Sequence, residues 1–208
     1  MRDYTAMPVL YLHGFASGPR STKGVAFQRR FPAIELLDLR VPSFEHLRLS
    51  AMIDAVSARL AERTVLIGSS LGGLTAARVA ERDPRVVGLV LLAPAFQLAA
   101  RWRQISDIDE WQRTGWREVT DYTTGAPARV DFGFFEDVER IDHGYPDVRV
   151  PALVLHGRAD QTVPITHSRT FAARSNVQLI ELDDGHELVA SLPALLDETA
   201  RFLATLDH

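Results

Sequence analysis

Residues Thr64–Ala80, TVLIGSSLGGLTAARVA, contain the strongest structural signal in the chain. The run Val65–Ile67 is apolar and typical of a buried strand, whereas the alanine-rich end of the stretch is typical of a helix. Between them, GSSLG at 68–72 matches the pattern G-x-S-x-G, with Ser70 at its centre. In a nucleophile elbow, this pattern makes a sharp strand-to-helix turn that lifts the serine hydroxyl above the sheet. The stretch therefore predicts a reactive serine at Ser70.

The composition restricts the class of protein. The chain has 208 residues, of which 46% are hydrophobic and 24% charged, with a formal net charge of −4. These values fit one globular domain with a sizeable core. The acidic balance argues against nucleic acid or an anionic membrane as a partner, because such surfaces need a basic excess. The chain has no cysteine, which excludes disulfides, thiol catalysis and thiolate metal ligands. The N-terminal residues contain no apolar run long enough for a signal peptide or a membrane span, so a cytoplasmic location is expected.

Strand-like and helix-like segments alternate along the chain. Most of the strand-like runs are apolar throughout, which is typical of a parallel sheet covered on both faces. Besides the strand before Ser70, strands are predicted at Pro8–Leu12, Ala33–Leu39, Val86–Leu92, Ala152–Leu155 and Val177–Leu182. Besides the helix after Ser70, helices are predicted at Lys23–Arg30 with a cap at Ser21 or Thr22, from Ser43 to about Ala61, at Pro164–Ala173 and at Pro193–Leu203. The sequence thus predicts one α/β domain with a mostly parallel sheet of about six strands.

Residues 96–146 interrupt this alternation. The segment holds all three tryptophans, several arginines and three closely spaced phenylalanines. One interpretation is a helical excursion that buries its aromatic side chains against the sheet. The other is a lid over Ser70 in which Trp102, Trp111 and Trp116 line an acyl pocket. In the second interpretation, the arginines of the segment contact a carboxylate or phosphate of the substrate. These arginines are Arg101, Arg103, Arg113 and Arg117.

A serine nucleophile needs a base and usually a carboxylate to orient that base. In the α/β-hydrolase order, the serine is followed by the acid and then by the histidine, each after a strand. Asp160 follows the strand at 152–155, and His186 follows the strand at 177–182. The oxyanion hole needs two further donors. The backbone N–H groups of Leu71, after the serine, and Phe15, after the first strand, are the candidates.

Structural explanations exist for each of these residues. Ser70 alone would suit a helix N-cap, and His186 a solvated loop. Asp160 would suit a turn, in which case the strand before the insertion would carry the acid. His13 and His156 each stand at the end of a strand and are interpreted as structural, with His13 orienting the backbone. The sequence contains no cluster of histidines and carboxylates at ligand spacing, so no metal site is predicted.

Several motifs resemble those of the α/β-hydrolase superfamily: YLHGFASGP at 11–19, IGSSLGG at 67–73, HGRADQTVP at 156–164 and a late GH. YLHGFASGPRSTK together with GSSLGG is most similar to small bacterial YqiA-type esterases. The resemblance covers nearly the whole chain except residues 96–146. The stretch HGRADQTVP and the tryptophan-rich insertion depart from the YqiA pattern and look more like general superfamily members. The subfamily, and with it the substrate, is therefore left open.

The resemblance implies a shortened hydrolase sheet with a small helical cap, and hydrolysis of a carboxylic ester or thioester without a cofactor. It also implies that Ser70 is the nucleophile, Asp160 the acid and His186 the base, with Phe15 and Leu71 as oxyanion donors. Acyl transfer or perhydrolysis on the same residues stays open, as does a ligand-binding protein that retains them. The sequence does not define the oligomeric state.

Overall fold

A six-stranded parallel sheet forms the centre of the molecule. The computed structural model describes residues 7–173 and 177–206. The strands are β1 Val9–Leu12, β2 Glu35–Leu37, β3 Thr64–Ser69, β4 Val86–Leu92, β5 Trp116–Thr120, β6 Pro127–Asp131, β7 Ala152–Gly157 and β8 Val177–Leu182. The sheet has the order β2-β1-β3-β4-β7-β8 with every neighbouring pair parallel, while β5 and β6 form a separate antiparallel hairpin. The six predicted strands are therefore all present.

Helices cover both faces of this sheet. Their bounds are α1 Thr22–Arg30, α2 Leu49–Ser57, α3 Leu71–Ala80, α4 Leu98–Trp102, α5 Ile108–Thr114, α6 Gly133–Ile141, α7 Thr166–Ala172 and α8 Leu192–Leu206. Successive strand residues point to opposite faces, so Leu66 and Ile67 belong to two different cores. The core that includes Leu66 lies under α2, α3, α4 and α6, and the core that includes Ile67 lies under α1 and α8. The predicted α/β architecture is confirmed.

The second predicted helix is shorter than its sequence pattern suggests. The sequence pattern predicts a helix from Ser43 to about Ala61, but α2 begins at Leu49 and ends at Ser57. The residues before it are used to hold the hairpin. Arg48 donates hydrogen bonds of 2.7 and 2.9 Å to the two carboxylate oxygens of Asp131, and the backbone carbonyl of Glu45 accepts from the Asp131 N–H. These tertiary contacts hold residues 45–48 outside the helix, so the helical turns predicted before Leu49 do not form.

Smaller differences concern the ends of elements. The strand predicted at 33–39 is limited to Glu35–Leu37, and β7 continues to Gly157. The helix predicted at 164–173 begins at Thr166 and ends at Ala172, whereas the last helix extends to Leu206. Such differences are typical, because element ends depend on caps and tertiary contacts rather than on periodicity.

Residues 96–146 combine helices with the β5–β6 hairpin, so the helical description predicted for this segment is incomplete. Its helix α6 packs on α2, and the rings of Phe134 and Trp102 join that of Phe15 in one aromatic cluster. The hairpin tip reaches the loop after β1, where the Tyr122 N–H donates to the Ala16 carbonyl at 2.8 Å. The segment thus extends the core and also borders the carboxyl ends of the strands.

Candidate active site

Ser70 stands at a sharp turn between β3 and α3. Its backbone angles are φ 53° and ψ −113°, a combination that costs about 1–3 kcal/mol for a residue with a side chain. The flanking glycines make this turn possible. A Cβ on Gly68 would lie 2.3 Å from the Gly72 carbonyl oxygen, and a Cβ on Gly72 would lie 2.2 Å from the Leu12 carbonyl oxygen. The turn therefore depends on glycine at both positions.

The structure brings Ser70, His186 and Asp160 together, although 116 residues separate the first two in sequence. His186 Nε2 lies 3.0 Å from Ser70 Oγ, and His186 Nδ1 lies 2.7 Å from Asp160 Oδ2. A carboxylate only accepts hydrogen bonds, so Nδ1 carries the hydrogen and Nε2 of the neutral ring accepts from the serine hydroxyl. This arrangement can transfer the Ser70 proton to His186.

The carboxylate of Asp160 is buried and receives four hydrogen bonds. The backbone N–H groups of Thr162 and Val163 each donate to Oδ1 at 2.8 Å. His186 and His156 both donate to Oδ2, at 2.7 and 3.0 Å. Burial alone would raise the pKa of Asp160, but the hydrogen bonds from His156, His186 and Val163 outweigh it and hold that pKa well below its usual range. Asp160 is therefore an anion at neutral pH.

His156 is completely buried beneath this carboxylate. Its Nε2 faces two acceptors, Asp160 Oδ2 and the Val163 carbonyl oxygen, each at 3.0 Å, so Nε2 carries a hydrogen. Its Nδ1 lies 2.7 Å from Ser168 Oγ on α7. The sequence pattern predicts only a structural role for His156. The signal for its contact is the HGRAD spacing, which places a strand-end histidine four residues before the acid.

Two backbone N–H groups close to Ser70 are potential oxyanion donors. The N–H groups of Phe15 and Leu71 have no hydrogen-bond partner within residues 7–173 and 177–206. Leu71 begins α3, where the first N–H groups of a helix are free. Both residues line the same pocket as Ser70.

His13 orients the peptide that carries the Phe15 N–H. Its Nδ1 lies 2.9 Å from the Gly14 carbonyl oxygen, and its Nε2 accepts from the Leu39 N–H at 2.9 Å. The Gly14 carbonyl and the Phe15 N–H belong to one planar peptide, so a donor at the oxygen fixes the direction of the N–H. Burial lowers the pKa of His13, which favours the neutral ring that Leu39 requires.

A pocket of about 410 Å³ opens over Ser70. Phe15, Leu98 and Trp102 form an apolar side of its wall, and Tyr11 and Lys23 contribute a polar side. Of the three tryptophans predicted to line an acyl pocket, Trp102 is on this wall.

Trp111 and Trp116 lie elsewhere, which corrects the prediction for these two residues. Trp111 is 1% exposed in the core, where its Nε1 donates to the Val130 carbonyl at 3.0 Å. Trp116, on β5, stacks under the Arg129 guanidinium at 4.0 Å. Both belong to the scaffold of the insertion rather than to the pocket.

Of the four arginines predicted to contact substrate, Arg101 lines the pocket. The others form ion pairs within the insertion: Arg103 with Glu139, Arg113 with Glu110, and Arg117 with Asp107.

Within 7–173 and 177–206, no group of three His, Cys, Asp or Glu side chains is arranged to hold a metal ion. No helix in the same residues has the length and apolar character needed to cross a bilayer.

Asp184, near His186, accepts hydrogen bonds from the N–H groups of Gly185 and Ser191 and thereby shapes the loop.

The sheet order, the elbow at Ser70 and the similarity to solved structures define the α/β-hydrolase fold. Alpha/beta hydrolase domain-containing protein 10 from mouse superposes with a TM-score of 0.76 at 21% identity, covering 96% of this chain and 90% of that one. A monoacylglycerol lipase from Paleococcus ferrophilus gives 0.71 at 19% identity, covering 96% of each chain. Est1E from Butyrivibrio proteoclasticus, with ferulic acid bound, gives 0.65 at 19%, covering 98% and 92%.

The family follows from the sequence. The family model described as "Uncharacterised protein family (UPF0227)" matches residues 8–202, and the chain belongs to this family, the YqiA family of esterases. A curated relative is the biotin biosynthesis bifunctional protein BioHC of Cellvibrio japonicus, which is 37% identical over 93 residues. The match spans 41% of this chain and 18% of that protein's length.

Proposed function

We propose that this protein is a serine hydrolase that cleaves carboxylic esters through an acyl-enzyme, with thioesters as a second substrate class. The observation that carries this proposal is the continuous chain from Ser70 Oγ through His186 to Asp160, with contacts of 3.0 and 2.7 Å. Membership of an esterase family supports it. The names of a lipase and of a ferulic acid complex among the structural relatives agree with an ester as substrate.

In the first step, Ser70 Oγ attacks the acyl carbon while His186 Nε2 takes the hydroxyl proton. The negative charge that develops on the carbonyl oxygen is stabilised by the N–H groups of Phe15 and Leu71. Asp160 keeps the proton of His186 on Nδ1 and stabilises the imidazolium. The tetrahedral intermediate then collapses, the leaving oxygen or sulfur takes the proton from Nε2, and the acyl group stays on Ser70.

In the second step, water takes the place of the leaving group. His186 removes a proton from this water, whose oxygen attacks the acyl carbon within the same oxyanion hole. Collapse of the second tetrahedral intermediate returns the proton to Ser70 and releases the acid. The step needs neither a metal ion nor an organic cofactor, since Ser70 and His186 supply the nucleophile and the proton transfers.

The test is covalent labelling combined with turnover. A fluorophosphonate should add one phosphonyl group to the peptide that contains Ser70, and Ser70→Ala should abolish both the label and hydrolysis of 4-nitrophenyl butyrate. Ser69→Ala is the matched control, because it removes a neighbouring hydroxyl and leaves the contact between Ser70 and His186 in place. A protein that folds, binds esters and forms no adduct would instead be a ligand-binding protein. An adduct that persists in Ser70→Ala would move the nucleophile to another residue.

A further inference from the structure

We propose that the polar side of the pocket is an anion-binding subsite, formed by Tyr11, Lys23 and the first turn of α1, which receives a carboxylate or phosphate group of the ester substrate. This inference rests on the proposed function, because it names a part of that substrate.

The two sides of the pocket lie above opposite faces of the sheet. Phe15, Leu98 and Trp102 pack with the core under α2, α3, α4 and α6. Tyr11 and the helix α1 belong to the other core. A substrate that spans Ser70 therefore meets apolar side chains on one side, and hydroxyl, ammonium and backbone N–H groups on the other.

The N-terminus of α1 contributes positive potential. Ser21 caps this nine-residue helix, and its Oγ accepts from the Gly24 N–H at 3.2 Å. The N–H groups of Thr22 and Lys23 have no hydrogen-bond partner in the described residues, and the first turn has no acidic side chain. Ser21, Thr22 and Lys23 all line the pocket. Free N–H groups and the helix dipole at such an end favour an anion.

The hydroxyl of Tyr11 is an independent indication of a ligand at this end. Tyr11 is 0% exposed and lines the pocket, with its ring packed on Phe27 at 5.6 Å. Its hydroxyl lies near Ser21 and Ser69 but makes no well-formed hydrogen bond with any described residue. Burial raises the pKa of Tyr11, so the hydroxyl remains a donor. A buried donor without a partner destabilises the fold, and an anion would supply the acceptor.

Lys23 adds an amino group whose pKa is lowered by burial and partly restored by the nearby carboxylates of Glu187, Asp184 and Asp160. It is the only lysine of the chain, and it is buried. Its Nζ donates to the Glu187 carbonyl at 2.7 Å, which leaves two of the three ammonium hydrogens for other acceptors. The Glu187 carboxylate lies 3.6 Å away, but its side chain is 79% exposed, so a bound anion can displace it. Across the pocket, the Arg101 guanidinium donates to the Phe96 and Thr162 carbonyls and forms no direct ion pair within the described residues, although the charges of Asp142 and Asp160 lie close enough to act on it.

The experiment compares esters that differ in one anionic group. On the acyl side, mono-4-nitrophenyl adipate is compared with 4-nitrophenyl hexanoate. On the leaving-group side, 4-carboxyphenyl hexanoate and 4-phosphonooxyphenyl hexanoate are compared with phenyl hexanoate. We expect at least one anionic ester to have a kcat/KM about 10-fold or more above that of its neutral partner. The pair that shows this preference identifies the side of the ester and the kind of anion.

Tyr11→Phe is the sharpest variant, because it removes the unpaired hydroxyl and keeps the packed ring. We expect it to raise KM for the preferred anionic ester by about 5- to 30-fold, with little change for the neutral ester and no loss of thermal stability. Lys23→Gln should lower the anionic-to-neutral ratio further, and Glu187→Gln should raise it by removing a competing carboxylate. Arg20→Gln is the control for general electrostatics, because Arg20 is an exposed cation near α1 that does not line the pocket.

A binding measurement separates this subsite from the proposed catalysis. Calorimetric titration of Ser70→Ala needs no turnover. The neutral ligand is hexananilide, and the anionic ligand is the amide that matches the preferred ester: N-(4-carboxyphenyl)hexanamide, N-(4-phosphonooxyphenyl)hexanamide or adipic acid monoanilide. If the anionic esters are preferred, the matching anionic amide should bind more tightly than its neutral counterpart, and Tyr11→Phe should reduce the difference. The subsite is refuted if neutral esters and amides are preferred throughout, or if Tyr11→Phe and Lys23→Gln change anionic and neutral ligands by equal factors. Absence of all turnover with anion-selective binding would refute the esterase function and leave the subsite in place.

Discussion

The backbone N–H of Tyr122 donates a 2.8 Å hydrogen bond to the carbonyl oxygen of Ala16. Tyr122 lies at the tip of the β5–β6 hairpin, and Ala16 directly follows Phe15, the proposed oxyanion donor. Ala16 has φ 52°, which residues with a side chain rarely adopt. A Cβ on Gly18 would come within 2.7 Å of Thr123 Oγ1, so the hairpin tip sits directly on this loop. The insertion therefore supports the conformation of the loop that contains Phe15.

This contact leads to a prediction about the hairpin. Tyr122→Pro removes the N–H donor to Ala16, and we expect kcat on 4-nitrophenyl butyrate to fall by roughly 10-fold. Complete loss of an oxyanion donor lowers kcat by about 10²–10³-fold, and the variant makes the Phe15 N–H less well ordered without removing it. Tyr122→Ala keeps the N–H and should retain kcat. Equal kcat values in the two variants would show that the oxyanion loop does not depend on the hairpin.

A second prediction concerns Asp160. Asp160→Asn should lower kcat by about 10³–10⁴-fold, because the amide cannot hold His186 in the correct tautomer. The carboxylate should also stabilise the fold in a pH-dependent manner. Its pKa is lower in the folded protein than the value of about 3.9 expected when unfolded, so its contribution is complete above about pH 5 and is lost as the pH falls below 4.

The measurement for this stability effect is the melting temperature of wild type and Asp160→Asn between pH 6 and pH 3. Asp183→Asn is the control, because this carboxylate lies in the neighbouring loop and its side chain is 94% exposed. We expect the difference between wild type and Asp160→Asn to shrink toward acid pH. A constant difference would show that Asp160 does not contribute through its ionised form.

A third prediction concerns His156 as a positioning residue for Asp160. His156→Leu removes a donor from Asp160 Oδ2, leaving a more basic carboxylate that holds the His186 imidazolium more strongly. We expect kcat to fall about 3- to 20-fold and the acid-side midpoint of kcat/KM to rise by about 0.5 pH unit. Other charged groups lie around Asp160 and His186 and are unchanged in the variant: Lys23, Arg101, Asp184 and Glu187.

His156→Gln provides the matched comparison, because its amide can still donate to Asp160 and should restore both values toward wild type. Ser168→Ala is a milder variant that removes the partner of Nδ1 and should shift the midpoint in the same direction. A purely structural role would lower the melting temperature and leave the midpoint of every folded variant unchanged.

A fourth prediction separates two tryptophans of the insertion. Trp102→Ala should raise KM for long acyl chains relative to acetate, since one lost pocket contact discriminates substrates by about 1–3 kcal/mol. Trp111→Ala should destabilise the fold by about 3–5 kcal/mol, because that side chain fills the core. The folded fraction of this variant should keep the wild-type preference for acyl-chain length. Thermal melts and a series of 4-nitrophenyl esters from acetate to decanoate distinguish them. A shifted profile in Trp111→Ala alone would reverse the two assignments.

The sheet and the elbow could be predicted because their signals are local. Apolar runs such as Val86–Leu92 mark buried strands, and the G-x-S-x-G spacing at Ser70 leaves little freedom for the chain. The positions of Asp160 and His186 after their strands could be predicted from the known order of these residues in the fold. The contacts between their side chains depend on the sheet topology, because the carboxyl ends of parallel strands lie at the same edge of the sheet.

Other features depend on contacts between distant residues and could not be predicted from local patterns. The helix predicted from Ser43 begins only at Leu49, because Glu45 and Arg48 bind Asp131, more than 80 residues later in the chain. Trp111 and Trp102 look equivalent in sequence, yet one fills the core and the other lines the pocket. Whether an aromatic side chain faces protein or ligand is decided by the packing of the whole insertion.

The absence of side chains at Gly68 and Gly72 has a consequence for directed evolution of this protein. Helix α3 approaches β1 so closely that a methyl group on Gly72 would overlap the Leu12 carbonyl. A library of all single substitutions should therefore contain almost no functional members at these two positions. Leu98, Trp102 and Tyr122 line the pocket from outside the elbow, and libraries that vary them together can change which molecules are accepted while Ser70 keeps its geometry.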